Sequence, residues 1–278
     1  MTPQAEAPER QSPRISVVIV SFNRVEQLRE NLKALGSDHQ IVVVDNGSWD
    51  GAENIGEEFP ALRFSRLPKN FGLTKALNIG LRAAEGEYIL CLHDDVRIAG
   101  EAVTRLADFL ESRQNVGGVC PLLTDASGNL VAQMRKLPNP SDPDPALQIP
   151  PEGEETTAEC VSGALMFRSF FLRALRQVDE RYGNYGSGIE LCAQIRRAAK
   201  KVVILHSVTA IHESMPSPMR PDMLAADRVA GTAAFLGKHH GFVSGLLYKL
   251  KTALAALATF RFAVLAAAVS GQKIDGTG

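Results

Sequence analysis

Two short apolar segments with an amphipathic stretch between them constrain the fold of this chain more than any other feature. Residues 15–20 read ISVVIV and residues 41–44 read IVVV, and continuous apolar runs of this kind are typical of strands that are buried on both faces. Between them, apolar residues recur every three or four positions from Val25 to Leu35, which predicts a helix. Strand, helix and strand at this spacing predict a right-handed crossover and a parallel sheet.

The same alternation continues along the chain and predicts an α/β fold with a mostly parallel central sheet flanked by helices. Residues 122–157 interrupt it with a proline-rich, acidic stretch that is predicted to be irregular, and loops of that length are usually functional or mobile. Further strands are predicted at 62–67, 88–92, 116–120, 160–167 and 202–205, and further helices at 73–84, 100–112, 170–175 and 189–199.

Two adjacent acids follow one of these apolar strands directly. The run 88–92 is succeeded by His93, Asp94 and Asp95, and the carboxyl ends of strands are where open α/β sheets bind ligands. A divalent cation that carries a diphosphate would suit this pair, because hard cations prefer oxygen ligands and substrate phosphates. The alternative is a solvated turn in which the acids cap the next helix, and these residues alone leave both interpretations open.

Composition and charge are those of an ordinary globular protein. The 278 residues are 45% hydrophobic and 22% charged, and a formal net charge of −1 gives no reason to expect a nucleic-acid partner. Cys91, Cys120, Cys160 and Cys192 are far apart in apolar segments, which predicts reduced core residues of a cytoplasmic protein. Residues 1–13 are polar and proline-rich, so we expect a disordered tail rather than a signal peptide.

The C-terminal region changes in composition. Residues 236–270 are rich in alanine and leucine, include four lysines and arginines, and contain no acid. The most apolar part, 252–270, is interrupted by Arg261, so an interfacial helix with basic flanks fits better than a spanning one. The alternative is a helix that packs on the domain or on a second copy of the chain, as in a homodimer.

Seven short motifs follow one another along the chain: ISVVIVSFNR at 15–24, VVVDNGSWDG at 42–51, NFGLTKALNIG at 70–80, LHDDV at 92–96, VSGALMFR at 161–168, VDERY at 178–182 and AIHE at 210–213. Taken in this order, they resemble glycosyltransferase family 2, the inverting nucleotide-sugar transferases of the GT-A fold. The resemblance runs from about Ile15 to about Ser217, and within the family it is nearest to the bacterial rhamnosyltransferase-like branch.

The resemblance implies a metal-dependent inverting glycosyltransferase. It would move a hexosyl or rhamnosyl unit from a nucleoside diphosphate sugar to a hydroxyl of a saccharide or lipid-linked acceptor, in cell-surface glycan synthesis. The cofactor would be Mn²⁺ or Mg²⁺, and the protein would work in the cytoplasm at the inner face of the cell membrane. The GT-A domain would span 14–217, followed by a C-terminal helical segment at 218–278.

The matched motifs also assign roles to residues. Alternatives remain at three places: Asp45 could be an Asx-turn residue, Asn70 and Asn78 could cap a helix, and His212 could be structural. Donor binding is assigned to Ser21, Asn23, Asp45, Asn70, Asn78 and Asp94, metal binding to Asp95 and His212, and the acceptor side to Ser162 and Gly163.

One departure from the family pattern concerns the catalytic base. Family members carry Glu-Asp shortly before an Asp-Leu-Cys helix, and the aspartate of that pair takes the acceptor's proton. Here Gly188 stands at that position, so Glu190 is the nearest candidate and Glu213 a distant second. The other reading is a catalytically impaired sugar-nucleotide-binding or scaffold protein. A nucleotidyltransferase is disfavoured because no glycine-rich phosphate loop with a basic residue follows the first strand.

Overall fold

The computed structural model describes residues 13–171 and 177–270 and contains strands and helices in alternation. The strands are β1 (Ile15–Ser21), β2 (Gln40–Asp45), β3 (Arg63–Arg66), β4 (Tyr88–His93), β5 (Val96–Arg97), β6 (Val116–Thr124), β7 (Met134–Arg135), β8 (Glu155–Ala158), β9 (Cys160–Val161), β10 (Ala164–Arg168) and β11 (Lys201–His212). The helices are α1 (Val25–Leu35), α2 (Ile55–Glu58), α3 (Leu73–Ala83), α4 (Gly100–Ser112), α5 (Ser187–Arg197), α6 (Pro221–His239), α7 (Phe242–Ala258) and α8 (Phe262–Ser270). Most of the predicted helix at 170–175, and residues 1–12 of the predicted tail, lie outside the described residues.

The central sheet has the strand order β3-β2-β1-β4-β10-β6-β11-β5, with β8 paired to β11. The predicted α/β class is therefore confirmed. Strands β3, β2, β1 and β4 are parallel, as predicted, whereas β10 runs antiparallel to both β4 and β6. The excursion before β9 returns the chain to the carboxyl edge of the sheet, where Ala164 pairs with Leu92. Strand β10 therefore runs back from that edge, and this half of the sheet is mixed.

Apolar clusters cover both faces of the sheet. One face packs against α1 and α4, whose buried positions include the predicted stripe from Val25 to Leu35. The other face packs against α3 and α5 and reaches Phe235 of α6. Since the strands are buried on both faces, their sequences are continuously apolar, as the first strands indicated. The four cysteines are free thiols, and all but Cys91 are fully buried.

Strand β11 is much longer than predicted, and its extension matters for the site. Residues 202–205 were expected, but the strand runs from Lys201 to His212 with a register shift between Leu205 and Thr209. Polar residues near that shift are partly or fully exposed, so the continuous apolar pattern that predicts a buried strand ends before it. The extension brings His212 opposite Val96 of β5, next to the acid pair.

The C-terminal helices belong to the folded structure. The buried Asp227 carboxylate on α6 accepts hydrogen bonds from the backbone N–H groups of Asn184 (2.8 Å) and Tyr185 (2.7 Å). Helices α7 and α8 pack on α6 and on each other through a small apolar cluster. Within 13–171 and 177–270, no helix is long and apolar enough to cross a membrane.

Candidate functional site

A cavity of about 440 Å³ opens at the carboxyl edge of the sheet. Each half of its wall is named after the role that the motif resemblance predicts for it. The donor half comes from the N-terminal part of the chain: Arg24, Asn46, Asn70, His93, Asp94 and Asp95. The acceptor half follows later in the chain: Arg135, Ser162, Gly163, Tyr185, Gly188 and Arg228. The crevice lies where α/β sheets bind ligands.

The acid pair in the donor half is held by one arginine. Nη1 of Arg24 lies 3.1 Å from Oδ1 of Asp94 and 2.8 Å from Oδ2 of Asp95. The same guanidinium donates to the carbonyl oxygens of Met215 and Pro216, both at 3.1 Å. Two carboxylates at a buried strand end are costly without positive charge, and here Arg24 supplies it. The solvated-turn alternative does not fit, because both acids are largely buried.

The two acids differ in how readily they ionise. Burial raises the pKa of Asp94 to about 6, although Arg24 favours its charged form. Burial also opposes ionisation of Asp95, but the contact with His212 and the surrounding positive charges outweigh it and hold the pKa of Asp95 well below its usual range. Asp95 is therefore the permanent negative charge of the site, while Asp94 gains a proton as the pH falls below about 6.

The residues around Asp95 fit a divalent cation. Oδ1 of Asp95 is buried without a hydrogen bond of regular geometry, and Nε2 of His212 lies 3.5 Å away. The hydroxyl of Ser214 lies 2.9 Å from Nδ1 of His212 and orients the ring, as second partners of metal-binding histidines do. In the described residues no group of three or more His, Cys, Asp or Glu could hold a metal. A cation here would take its other ligands from a diphosphate and water.

The predicted nucleoside-binding residues meet beside the donor half. Ser21 and Asp45 end neighbouring strands and are partners in register. Asp45 is fully buried, and its Oδ1 accepts the N–H of Ser48 at 3.0 Å, as in the Asx-turn alternative. Its Oδ2 has no hydrogen bond but forms an ion pair with Nε of Arg66 at 3.3 Å, whereas Nδ2 of Asn23 is buried without a hydrogen bond. A buried donor without a partner is costly, and a polar ligand would satisfy it.

The two asparagines of the third motif have different positions. Asn70 lines the cavity, and its Oδ1 accepts from Nδ2 of Asn46 and from the N–H of Gly72. Asn78 lies in the middle of α3, where its amide exchanges hydrogen bonds with the backbone of Val178. The predicted donor contact of Asn78 therefore does not agree with the structure: this side chain anchors the 178–180 segment from the buried face of α3.

The predicted acceptor residues line the cavity where β9 leads into β10. The N–H of Ser162 donates to the carbonyl of Gln133, and the carbonyl of Gly163 accepts the N–H of His93. Gly163 has φ +86°, and a Cβ there would lie 2.8 Å from a methyl group of Leu123. Glycine is needed at this position because of the positive φ and this close contact. Through its hydrogen bond with His93, the residue joins the acceptor half to the acid-bearing strand.

The prediction that Glu190 is the catalytic base does not agree with the geometry. Gly188 lines the cavity, but the carboxylate of Glu190, two residues on, points toward α6 and is almost completely buried. Its four partners are Tyr182 Oη (2.8 Å), Gln194 Nε2 (2.5 Å), Lys238 Nζ (2.9 Å) and His239 Nε2 (2.8 Å). Glu213 is no substitute, because it is directed toward Arg97. Residues two apart on a helix face different directions, so matching the motif by position could not show where the Glu190 carboxylate points.

Comparison with known families decides the assignment. The family described as "Glycosyl transferase family 2" matches residues 16–176, more than half of the chain. The chain belongs to glycosyl transferase family 2. This membership confirms the motif resemblance at the level of the family, and it does not distinguish the rhamnosyltransferase-like branch. The match ends before Tyr185, Gly188 and Arg228, so much of the acceptor half lies beyond it.

Curated relatives in this family resemble only part of the chain. A protein of Bacillus subtilis (strain 168) named "Uncharacterized glycosyltransferase YfnE" is 33% identical over 111 residues, which cover 37% of this chain and 28% of that protein. An "N-acetylglucosaminyltransferase" of Mesorhizobium japonicum is 32% identical over 134 residues, covering 44% of this chain and 30% of the relative. The chain thus spans about a third or less of these relatives.

Solved structures of two other proteins extend the likeness to the whole fold. The mannosyltransferase PcManGT from Pyrobaculum calidifontis, in complex with GDP-Man and Mn²⁺, aligns with a TM-score of 0.56 and 18% identity over 97% of this chain and 77% of that one. S. aureus TarS 1–349 in complex with UDP-GlcNAc aligns with a TM-score of 0.56 and 16% identity over 92% and 91%. This likeness confirms the GT-A fold.

Sequence reasoning missed three cavity arginines. Arg24 stands in the first motif but received no role, although it holds both acids. Arg135 lies in the excursion between β6 and β8, and Arg228 lies on α6, beyond the motifs. Nothing in the sequence around Arg135 and Arg228 distinguishes them from surface arginines, because only the fold brings both to one wall.

Proposed function

We propose that this protein transfers a sugar from a nucleoside diphosphate sugar to an acceptor oxygen. The observation that carries the proposal is the cavity at the carboxyl edge, lined by the largely buried carboxylates of Asp94 and Asp95 with His212 3.5 Å from Asp95, in a chain of glycosyl transferase family 2. The buried polar atoms of Asn23 and Asp45 that have no hydrogen bond support a nucleoside beside this acid pair. The transferred unit is a hexosyl or rhamnosyl group, and inversion follows from a direct displacement.

The donor half suits a diphosphate with a divalent cation. We assign Asp95 and His212 as the protein ligands of Mn²⁺ or Mg²⁺, which when bound would neutralise charge on the leaving diphosphate. Structural neighbours were solved with GDP-Man and Mn²⁺ or with UDP-GlcNAc, which supports a donor of this class. Arg24 lies beside the acids, so it is placed to contact phosphate oxygens once a cation shares the carboxylates.

The missing base favours a second candidate function. Gly188 has no side chain, and within residues 13–171 and 177–270 the two carboxylates that line the cavity, Asp94 and Asp95, are both bound to Arg24. A protein that binds a sugar nucleotide without efficient transfer to hydroxyl acceptors would have this arrangement. The distinction between the two candidates is turnover with a suitable acceptor.

A donor screen tests the proposed function. Because a ligand that binds only the native state raises its stability, one of a panel of UDP-, GDP- and dTDP-sugars should raise Tm, and more so with Mn²⁺. Asp95→Asn should remove the increment that depends on Mn²⁺. Asp38→Asn, an equal charge change on an exposed loop, should leave it intact. No shift with any donor, or an unchanged Mn²⁺ increment in Asp95→Asn, would contradict the proposal.

We also propose that helix α7 rests on an anionic membrane, in line with cell-surface glycan synthesis at the inner face of the cell membrane. Polysaccharide-building relatives such as the poly-β-1,6-N-acetyl-D-glucosamine synthase of Staphylococcus epidermidis support such a role. Residues 236–270 contain no acid, and among the described residues Lys249, Lys251 and Arg261 form no ion pairs. An exposed stripe at helical spacing accompanies them: Val243, Leu247, Leu250, Leu254 and Leu257.

Vesicle binding tests the α7 surface. The protein should sediment with vesicles that contain phosphatidylglycerol at low salt, and Leu250→Gln with Leu254→Gln should weaken binding at least about tenfold, since each buried leucine contributes roughly 1.5–3 kcal/mol. Leu130→Gln with Ile149→Gln removes two exposed apolar residues elsewhere and is the control. A truncated protein that lacks α7 and α8 should also lose vesicle binding. The truncation should end after His239, because α6 packs on the domain and must be kept. If the protein ignores vesicles but forms a dimer that the leucine variant disrupts, the surface is a subunit interface.

A further inference from the structure

Two arginines lie close to one tyrosine on the acceptor half of the cavity. The guanidinium carbon of Arg135 lies 5.9 Å from the centre of the Tyr185 ring and that of Arg228 lies 5.4 Å from it. Nη1 of Arg135 donates to the Tyr185 hydroxyl at 3.0 Å. One carboxylate, Asp144, contacts both guanidinium groups, at 3.6 and 3.2 Å.

This arginine pair retains positive charge and donors for a ligand. Two guanidinium groups share the single Asp144, which leaves one net positive charge on this wall. In the described part of the chain, hydrogen bonds reach only Nη1 of Arg135 and Nη1 of Arg228, although each guanidinium carries five N–H donors. The Arg135 side chain is only 12% exposed, so a contact with it would be well shielded from solvent.

Among the described residues, the same wall offers no free group to deprotonate an acceptor. The nearest carboxylate, Asp144, does not line the cavity and is held by both arginines and by the Tyr185 hydroxyl, which donates to it at 3.1 Å. A neutral hydroxyl must lose its proton as it attacks, usually to a carboxylate. Gly188 has no side chain, Glu190 faces α6, and His93 lies on the donor half directly before the acid pair. An acceptor oxygen that is already ionised would need no base, and an arginine pair is suited to bind it.

We propose that the acceptor nucleophile is a phosphate monoester oxygen held by Arg135 and Arg228. This inference rests on the proposed function and deepens it by naming the acceptor class. An oxygen of the phosphate dianion forms the new bond to the anomeric carbon, and the bond from that carbon to the donor diphosphate breaks. The nucleoside diphosphate leaves with the electron pair, and the phosphate becomes a phosphodiester with one charge. No proton is transferred, so charge balances without a base.

Paired acceptors test the assignment. With the donor and Mn²⁺ identified by the donor screen, farnesyl phosphate and glucose 1-phosphate are compared with farnesol and glucose as acceptors. We expect transfer to a phosphate and not to its alcohol, with a rate that rises with pH through about 6, the second ionisation of a phosphate monoester, and is constant above it. Transfer to farnesyl phosphate alone identifies a lipid acceptor, and transfer to glucose 1-phosphate alone identifies a soluble one.

Arginine variants connect that activity to this wall. Arg135→Gln should raise KM for the phosphate acceptor at least about tenfold, as loss of a charge-assisted hydrogen bond does, with donor affinity unchanged. Arg228→Gln should have a smaller effect because it is more exposed. The control is Arg63→Gln. The Arg63 side chain is 53% exposed, as is that of Arg228, and it pairs with Glu85 outside the cavity. Three results overturn the inference: transfer to the alcohols but not the phosphates, transfer to no acceptor although the donor binds, or an unchanged KM in a variant in which both Arg135 and Arg228 are replaced by glutamine. Failure of any donor to bind instead removes the proposed function.

Discussion

Replacing Gly188 by aspartate is expected to change activity toward two acceptor classes in opposite directions. A Cβ at position 188 meets no atom within 4 Å, so the carboxylate would enter the cavity without strain. It would stand in the first turn of α5, where the helix dipole favours an anion. Transfer to hydroxyl acceptors should rise roughly 10²-fold or more, the scale of general-base catalysis, while transfer to phosphate acceptors should fall through repulsion.

The matched control for this prediction is Gly188→Asn, which adds the same volume without charge. It should leave transfer to hydroxyl acceptors at the parental level, and initial rates with farnesol and farnesyl phosphate measure both variants. If Gly188→Asp fails to create hydroxyl transfer although donor affinity is retained, the family's base position does not apply to this chain. If the parent transfers to no acceptor and Gly188→Asp does, the protein is a sugar-nucleotide-binding relative of the transferases.

Replacing Glu190 by alanine is expected to destabilise the fold strongly. Its carboxylate joins α5 to α6 through Lys238 and His239 and is only 4% exposed. Removal would leave the buried Tyr182 hydroxyl and the largely buried His239 ring without this partner, although Lys238 would keep its contact with Asp179. Breaking a buried ion pair costs about 3–5 kcal/mol. Urea unfolding should show this loss, whereas Glu101→Ala, which removes an exposed first-turn acid of α4, should change stability by about 0.5 kcal/mol or less.

The same contact makes stability depend on pH. Although burial opposes ionisation, hydrogen bonds from His239, Gln194 and Lys238 lower the pKa of Glu190 to about 2. A folded-state pKa below the unfolded value of 4.5 stabilises the protein fully above pH 4.5, and this contribution is lost as pH falls toward 2. Glu190→Gln should flatten the stability profile in that window. A parental decrease that persists in Glu190→Gln would assign the acid sensitivity to other groups.

Several features of the fold could be predicted because local patterns report them directly. Strands buried on both faces need continuous apolar runs, so β1, β2 and β4 were located within one or two residues. Amphipathic spacing located α1 and α4 in the same way. The adjacent acids after β4 identified the donor half, because carboxylates at a buried strand end need a charged partner.

The sequence by itself determined the α/β class, the family motifs and the acid pair, since each depends on neighbours within a few residues. Only the tertiary structure decided which side chains share the cavity. Because residues two apart on α5 face different directions, the Glu190 carboxylate points toward α6 while Gly188 lines the cavity. The extension of β11 brought His212 to Asp95, and the packing of α6 brought Arg228 to the tyrosine ring and the carboxylate that Arg135 also contacts. These contacts join residues far apart in the chain, and long-range packing leaves no local pattern from which to predict them.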